Sequence, residues 1–117
     1  MTATDELRNE LRALLDEVIP AGGTESDTRF SDAQLNAILE RSRNIYAAAS
    51  EGWMRKAAMF QKETGEIQSY SIGQESYTFA KATEMMEYAL KMADVYGKMA
   101  AKSMGSAILR FEPPEVM

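Results

Sequence analysis

Glu84 and Glu87 are the side chains best spaced for acid–base chemistry, because carboxylates three residues apart share one face of a helix. Such a pair can serve as general acid and base. Here the two alternate with Lys81, Lys91 and Lys98 along one face, a pattern typical of a solvated helix surface. The chain has 0 His and 0 Cys, so the usual proton shuttle, thiol nucleophile and zinc ligands are absent. We predict no catalytic residue, no cofactor and no metal site.

Other motifs of enzyme sites fail on spacing. The Ala21-Gly22-Gly23 turn lacks the lysine of a phosphate-binding loop, and no Gly-x-Ser-x-Gly element occurs. No apolar run approaches the ~20 residues of a membrane span, and the first ten residues are acidic, unlike a signal peptide. We expect a soluble, non-enzymatic protein that is made and kept in the cytoplasm.

Apolar residues at helical spacing organise the first third of the chain. They predict a helix over residues 4–18, ended by Pro20, with Leu11 and Leu15 in the core. Residues 20–29 are small, polar and glycine-containing, and predict a flexible connection. Ser31 and Gln34 then form a capping box that starts a helix at Asp32.

The next helix is predicted over residues 44–62, after a break within residues 41–44. In the preceding helix, Leu35 is predicted to lie in the core of the protein. The apolar stripe of the 44–62 helix comprises Tyr46, Ala49, Trp53, Ala57 and Phe60. Because a glycine inside a helix costs up to about 1 kcal/mol against alanine, Gly52 predicts that a neighbouring group packs closely there.

A final helix is predicted over residues 76–104, with two apolar stripes. Its core stripe comprises Phe79, Ala82, Met86, Leu90, Ala93 and Ala100. A second stripe beside it comprises Met85, Tyr88, Met92, Val95, Tyr96 and Met99. Together the stripes cover more than half of the helix circumference, which is more than a small monomer needs to bury. We predict that the second stripe contacts a partner, through Met85, Tyr88, Met92, Tyr96 and Met99.

The 117 residues therefore predict an all-α fold, a small bundle of three to four helices in one domain over residues 1–104. Residues near 64–75 are predicted to form a flexible loop, and residues 105–117 an extended C-terminal tail. Both segments carry apolar side chains suited to contact with a neighbour. These further interface candidates are Ile67, Tyr70 and Ile72 in the loop and Ile108, Leu109 and Phe111 in the tail.

Charge is distributed unevenly along the chain, whose net charge is −5. Residues 1–40 hold nine acids and three bases, whereas residues 41–110 hold seven acids and ten bases. This asymmetry suits head-to-tail contact between copies of one chain, which closes into a ring when the rotation allows. A basic middle segment also leaves contact with DNA phosphates open, although the overall acidity disfavours it.

Several short segments resemble head-tail connector (adaptor) proteins of long-tailed bacteriophages. They are the Phe30-Ser31-Asp32 helix start, the Ala48-Ala49-Ser50-Glu51-Gly52-Trp53-Met54-Arg55-Lys56-Ala57 helix, the serine-bearing loop before Gly73 and a final helix rich in Ala and Tyr. The resemblance covers about residues 30–100, and the block from Gly52 to Ala57 is its most specific part.

The resemblance implies a helical bundle that forms a ring of about twelve copies beneath the portal protein. The ring would extend the DNA channel in the neck of the virion, pass DNA without binding it specifically, and offer a docking surface to a tail or stopper protein. It implies no active site and no membrane. Two alternatives stay open: a small secreted helical-hairpin protein of the type-VII kind, and a DNA-binding accessory protein.

Overall fold

A computed structural model describes residues 1–68 and 73–111; for residues 66–68, 73–80 and 104–111 it describes the backbone alone. Four α-helices and one short 3-10 helix, Glu25–Asp27, make up the regular structure of these residues, and no strand occurs among them. The all-α prediction is therefore confirmed. The helices are α1 (Asp5–Leu14), α2 (Asp32–Arg41), α3 (Ile45–Gln68) and α4 (Gly73–Phe111).

Helix α1 ends four residues before the predicted boundary at 18. Asp16 adopts a left-handed backbone conformation with φ 57°. The amide of Asp16 donates to Ala13 O at 3.3 Å and the amide of Glu17 donates to Arg12 O at 2.8 Å. These two bonds form a Schellman motif, which satisfies the last carbonyl groups of a helix. The predicted helix end was wrong because this cap turns the chain away before Val18.

The connection between α1 and α2 is held by a buried arginine, contrary to the predicted flexible segment. Arg12 as a residue is 2% exposed, and its guanidinium makes four hydrogen bonds across the connection. It donates to Glu17 O and Thr28 Oγ1 at 3.1 and 2.9 Å, and to Phe30 O and Asp32 Oδ1 at 3.0 and 2.8 Å. One side chain thus fixes both ends of the connection.

Helix α2 begins at the predicted residue. The Gln34 amide donates to Ser31 Oγ at 3.2 Å, and the Ser31 amide donates to Gln34 Oε1 at 2.8 Å. Phe30 and Leu35, which flank this capping box, are both buried in the main core. The break predicted within residues 41–44 is also present, since α2 ends at Arg41 and α3 starts at Ile45.

Helices α3 and α4 form an antiparallel pair, because residues later in α3 contact residues earlier in α4. Tyr46 stacks on Tyr96, Ser50 bonds to Ala93 and Trp53 meets Tyr88. Helix α4 is 39 residues long, or about 58 Å. The radius of gyration is 17.8 Å, against about 13 Å for a compact protein of this length, so the molecule is elongated.

Both long helices extend beyond their predicted ends. Residues 64–68 and 73–75, within the predicted loop segment, and residues 105–111, within the predicted tail, have helical backbone. Extending an existing helix adds one hydrogen bond per residue, so a weak apolar pattern or a single glycine such as Gly65 or Gly105 does not stop it. Tyr70 and Ile72 lie outside the described residues, as do residues 112–117.

The predicted core is largely confirmed, with one correction. Leu11, Leu15, Leu35, Trp53 and Phe60 are buried, whereas Tyr46 and Met86 are partly buried. The side chain of Phe79 lies outside the described residues.

Leu90 is 46% exposed, and its assignment to the core was wrong. Among the side chains of α4 that the structure describes, residues 81–103, the buried ones are Ala82, Ala89, Ala93 and Ala100. With the partly buried Met86 and Tyr96 they alternate in four- and three-residue steps, the spacing of a coiled-coil seam. Ala89 occupies the seam, and Leu90, about 100° further round the helix, faces outward.

Candidate functional site

The Gly52-Trp53-x-x-Lys56 block of α3 receives the C-terminal end of α1. The Trp53 indole donates to Leu14 O at 3.0 Å and the Lys56 ammonium donates to Leu15 O at 2.7 Å. A Cβ on Gly52 would lie 2.6 Å from both methyl carbons of Leu15, so the close packing predicted at this glycine is confirmed. The block satisfies two carbonyl groups that the end of a helix leaves without partners.

Lys56 also forms a buried ion pair. Its ammonium lies 2.8 Å from Glu17 Oε2, and the two side chains are 6% and 9% exposed. The same ammonium lies 4.2 Å from the centre of the Trp53 ring. Glu17 Oε1 accepts the Arg29 amide at 2.8 Å. Each buried charge therefore has several partners, as burial in a protein interior requires.

Arg29 and Asp32 continue this network to the surface. The Arg29 guanidinium bonds Glu63 at 2.7 Å and lies 4.3 Å from the centre of the Phe60 ring. A hydrogen bond from Arg12 lowers the pKa of Asp32 below its ordinary value, and the charges of Arg8 and Arg12 act in the same direction. The network ties α1, α2 and α3 together, which is a structural role.

A cleft of about 460 Å³ opens where this network meets α4. Trp53 and Lys56 line it from α3, Met85 and Tyr88 from α4, and Asp16 from the end of α1. The Lys56 ammonium covers Trp53, and Tyr88 meets the indole edge-on, with ring centres 5.5 Å apart. Trp53 and Lys56 in this cleft are thus already engaged by contacts within the subunit.

Acidic clusters do not form a metal site in the part of the chain that the structure describes. No three acidic residues there are grouped closely enough to hold an ion. Glu84 and Glu87 are exposed, as their alternation with lysines predicts. Within the same residues, no helix is both long enough and apolar enough to cross a membrane.

The predicted interface stripe of α4 divides into two parts. Met92 and Tyr96 pack against the main core. Tyr96 stacks on Tyr46 with ring centres 6.4 Å apart, and burial raises the pKa of its phenol above the ordinary value, with a further contribution from the charge of Asp16. Their assignment to an interface needs correcting in part, because the subunit itself already covers much of both side chains.

The other part of the stripe is open to solvent. Tyr88 is 50% exposed, Val95 and Met99 are each 38% exposed, and Met85 is 39% exposed. We call Tyr88, Val95 and Met99 the ridge. Ile67, Ile108, Leu109 and Phe111 belong to helical backbone, and their side chains lie outside the described residues. Of the predicted interface residues on α4, Met85, Tyr88 and Met99 are thus exposed to a partner. Val95 belongs to the predicted second stripe but was not among the predicted contacts.

A second apolar surface, which the sequence did not predict, lies on the flank of the α3–α4 pair opposite to the ridge. It is a groove of about 460 Å³ lined by Ser50, Met54, Leu90, Gly97 and Ala101, with Ala93, Asp94 and Lys98 completing the lining. Met54 is 54% exposed. We call this surface the groove. Its signal in the sequence was Leu90, which was assigned to the core.

The buried charges Arg12, Glu17 and Lys56 were also missed. Helical periodicity shows which face of a helix is apolar, but it does not show which charged side chain enters that face to bind a carbonyl group. The one signal was the position of Lys56, three residues after Trp53 on the face toward α1.

Comparison with known proteins gives no further guide to function, because no protein family, curated protein or solved structure matches the chain.

Proposed function

We propose that this protein is a structural subunit that assembles into a ring, as a head-tail connector (adaptor) of a long-tailed bacteriophage. The observation that carries the proposal is the solvent-exposed ridge on α4. An apolar helix face that its own subunit leaves uncovered is typical of a protein-interaction surface. The resemblance of residues 30–100 to connector proteins supplies the kind of assembly.

The architecture is consistent with a passive role in the virion. The charged network around Lys56 holds α1 and α2 onto α3, so each subunit has a well-defined shape before it assembles. The elongated α3–α4 pair offers apolar surface along its length to neighbours. Weak contacts of this kind become strong when they are repeated around a closed ring.

The partners in this proposal are further copies of the chain, the portal protein above and a tail or stopper protein below. DNA passes through the channel without specific binding. The exposed acids of α1, among them Glu6 and Glu10, disfavour contact with phosphates wherever they face the channel.

The test is to mix the purified protein with purified rings of a portal protein from the genome that encodes this chain. We expect a stable complex with several copies of the chain per portal ring, measured by native mass and by electron microscopy. The double variant Val95→Glu/Met99→Glu should not join the complex, whereas Ala33→Glu, at an exposed position of α2, should join normally.

Two results would count against the proposal. A chain that stays monomeric with and without portal rings would exclude a connector. Salt-sensitive binding to duplex DNA would favour a DNA-binding accessory protein.

A further inference from the structure

The cleft where α1, α3 and α4 meet is lined by three aromatic rings, and two of them lie beneath a cation of the chain itself. The distances from cation to ring centre are 4.2 and 4.3 Å. Each of these cations also forms an ion pair with a carboxylate, at 2.8 and 2.7 Å. The two sets of ring, cation and carboxylate are Trp53 with Lys56 and Glu17, and Phe60 with Arg29 and Glu63.

Tyr88, the third ring of the cleft, has carboxylates beside it but no cation. It is 50% exposed, and no lysine or arginine among the described side chains lies over its ring. Asp16 and Glu84 line the cleft with it, from the end of α1 and from α4. Both carboxylates are exposed, and neither forms an ion pair with a described side chain. The third set thus lacks its cation.

The lysines nearest in sequence to Glu84 do not supply that cation. Lys81 and Lys91, three residues before and seven residues after it, lie along the same face of α4. Neither lines the cleft or pairs with Glu84. Residues 66–80, whose side chains are not described, contain no Lys or Arg. Arg110 lies about 33 Å further along α4 than Tyr88.

We propose that this cleft binds an arginine side chain of a partner protein, with the guanidinium over Tyr88 and between Asp16 and Glu84. A guanidinium is planar, stacks on aromatic rings and has enough donors for two carboxylates. The cleft volume of about 460 Å³ falls in the range of about 300–1,000 Å³ that ligand sites occupy. Three carboxylates and two cations line the cleft, so a positive charge is favoured there.

The position of Tyr88 favours a protein as the source of the arginine. Tyr88 belongs to the ridge as well as to the cleft, so a protein that covers the ridge can place an arginine in the cleft. Met85, which is 39% exposed and lines the same cleft, offers apolar contact to residues beside that arginine. The inference goes beyond the proposed function and does not depend on the formation of a ring.

The test is an NMR titration of the purified protein with the acetylated and amidated pentapeptide Ala-Leu-Arg-Leu-Ala, at physiological ionic strength. A matched peptide carries citrulline in place of arginine, which keeps the shape of the side chain and removes its charge. N-acetylarginine amide, which lacks the leucines, is titrated separately. The chain has 1 Trp, so the indole N–H of Trp53 gives a single signal from the cleft, and the amides of Met85 and Tyr88 give two more.

The variant that removes the site is Asp16→Asn/Glu84→Gln. Both positions are exposed, and asparagine tolerates the left-handed backbone found at Asp16, so the variant should fold normally. The matched control is Glu87→Gln, which removes an exposed carboxylate of α4 that does not line the cleft.

We expect the arginine peptide to give saturable shifts at the cleft, with a dissociation constant of about 1 mM or lower, the strength of a few weak contacts. Replacing arginine by citrulline, or the protein by Asp16→Asn/Glu84→Gln, should weaken binding about tenfold or more. Glu87→Gln should stay within about twofold of the wild type, because salt screens charges outside the cleft.

Four results would overturn the inference. Equal binding of the two peptides, or an equal loss in Glu87→Gln, would show that the charge of the arginine is not read in the cleft. Shifts that do not saturate by about 10 mM would show that there is no site of this strength. N-acetylarginine amide that binds as tightly as the peptide would assign the cleft to small molecules. Self-association of the wild type that Asp16→Asn/Glu84→Gln abolishes would assign it to a second copy.

Failure of this inference is distinguishable from failure of the proposed function. The titration uses the free protein and variants of the cleft, whereas the portal experiment uses Val95→Glu/Met99→Glu, which leaves the cleft residues unchanged.

Discussion

At the scale of single residues, the most informative position is Lys56. Its ammonium bonds a helix-terminal carbonyl, pairs with the buried Glu17 and lies over an indole ring. The tryptophan beside it bonds the preceding carbonyl. The Gly52-Trp53-x-x-Lys56 block therefore attaches α1 to α3.

Lys56→Met is expected to lower the free energy of unfolding by about 3 kcal/mol or more, because it leaves Glu17 buried without its charge partner. The matched change Lys98→Met removes an exposed ion pair with Asp94 and should cost no more than about 0.5 kcal/mol. Urea denaturation measures both. Equal losses in the two variants would contradict a structural role for the buried pair.

Gly52→Ala is expected to destabilise the protein by about 1–3 kcal/mol, because the added methyl group meets Leu15. Gly65→Ala is the control in the same helix. Nothing lies within 4 Å of its added Cβ, so its higher helix propensity should stabilise the protein by up to about 1 kcal/mol. If both glycines respond alike in thermal denaturation, the close contact at Gly52 is refuted.

At the scale of helices, α4 pairs with α3 through small residues. The buried residues of the seam within the described side chains are Ala82, Ala89, Ala93 and Ala100. The hydroxyl of Ser50 donates to Ala93 O at 2.8 Å. Small side chains let the two helices approach closely, and they leave the large apolar residues of α4 on its flanks. The same feature that joins the two helices thus creates the exposed ridge.

Substitutions at Ala89 and Leu90 distinguish the seam from the flank. Ala89→Leu places a large side chain at a fully buried position and should cost about 1–3 kcal/mol. Leu90→Ala should cost less than about 1 kcal/mol, whereas a core leucine would cost about 2–5 kcal/mol. Chemical denaturation of dilute protein measures the free energy of unfolding of both variants. A loss of about 2 kcal/mol or more in Leu90→Ala would show that Leu90 lies in the core after all.

Acid should weaken the contact between α1 and α2. Arg12 lowers the pKa of Asp32 below 3.8, so the folded protein holds this proton more weakly than the unfolded chain. The stabilisation is complete above about pH 5 and is lost as the pH falls through the lowered pKa.

Asp32→Asn should therefore flatten the fall in the free energy of unfolding below about pH 5. Some slope should remain, because a hydrogen bond from Arg41 lowers the pKa of Glu51, with help from Arg55. Adding Glu51→Gln should remove more of that slope. Urea midpoints measured across this range give the result, and an unchanged slope in Asp32→Asn would contradict the assignment.

At the scale of the whole molecule, the long α3–α4 pair forms a rod, and the shorter helices α1 and α2 pack against one side of it. The principal extents are 63 × 33 × 20 Å, and α1 and α2 pack on the first half of α3. Apolar surfaces on two opposite flanks of the rod suit lateral repetition of subunits.

Self-association links stability to concentration, because assembly draws on the folded state alone. The melting temperature should rise with protein concentration in the wild type and stay constant in Val95→Glu/Met99→Glu. Differential scanning calorimetry over a hundredfold range of concentration measures this. A concentration-independent melting temperature in the wild type would exclude assembly of the free chain.

The sequence by itself determined the features that depend on neighbouring residues. The capping box at Ser31 and the buried stripe of α3 follow from local spacing, and Gly52 was correctly predicted to mark a close contact. Capping and helical periodicity act within a few residues, so they can be deduced without knowing the rest of the fold.

Only the tertiary structure decided which charged groups are buried, where the helices end and which residues of α4 form the seam. Arg12 and Lys56 enter the core because carbonyl groups remote in sequence meet them there. The alanines of α4, rather than Leu90, face α3 because close helix pairing favours small side chains. These outcomes depend on contacts between distant segments, and the folded arrangement alone brings those segments together.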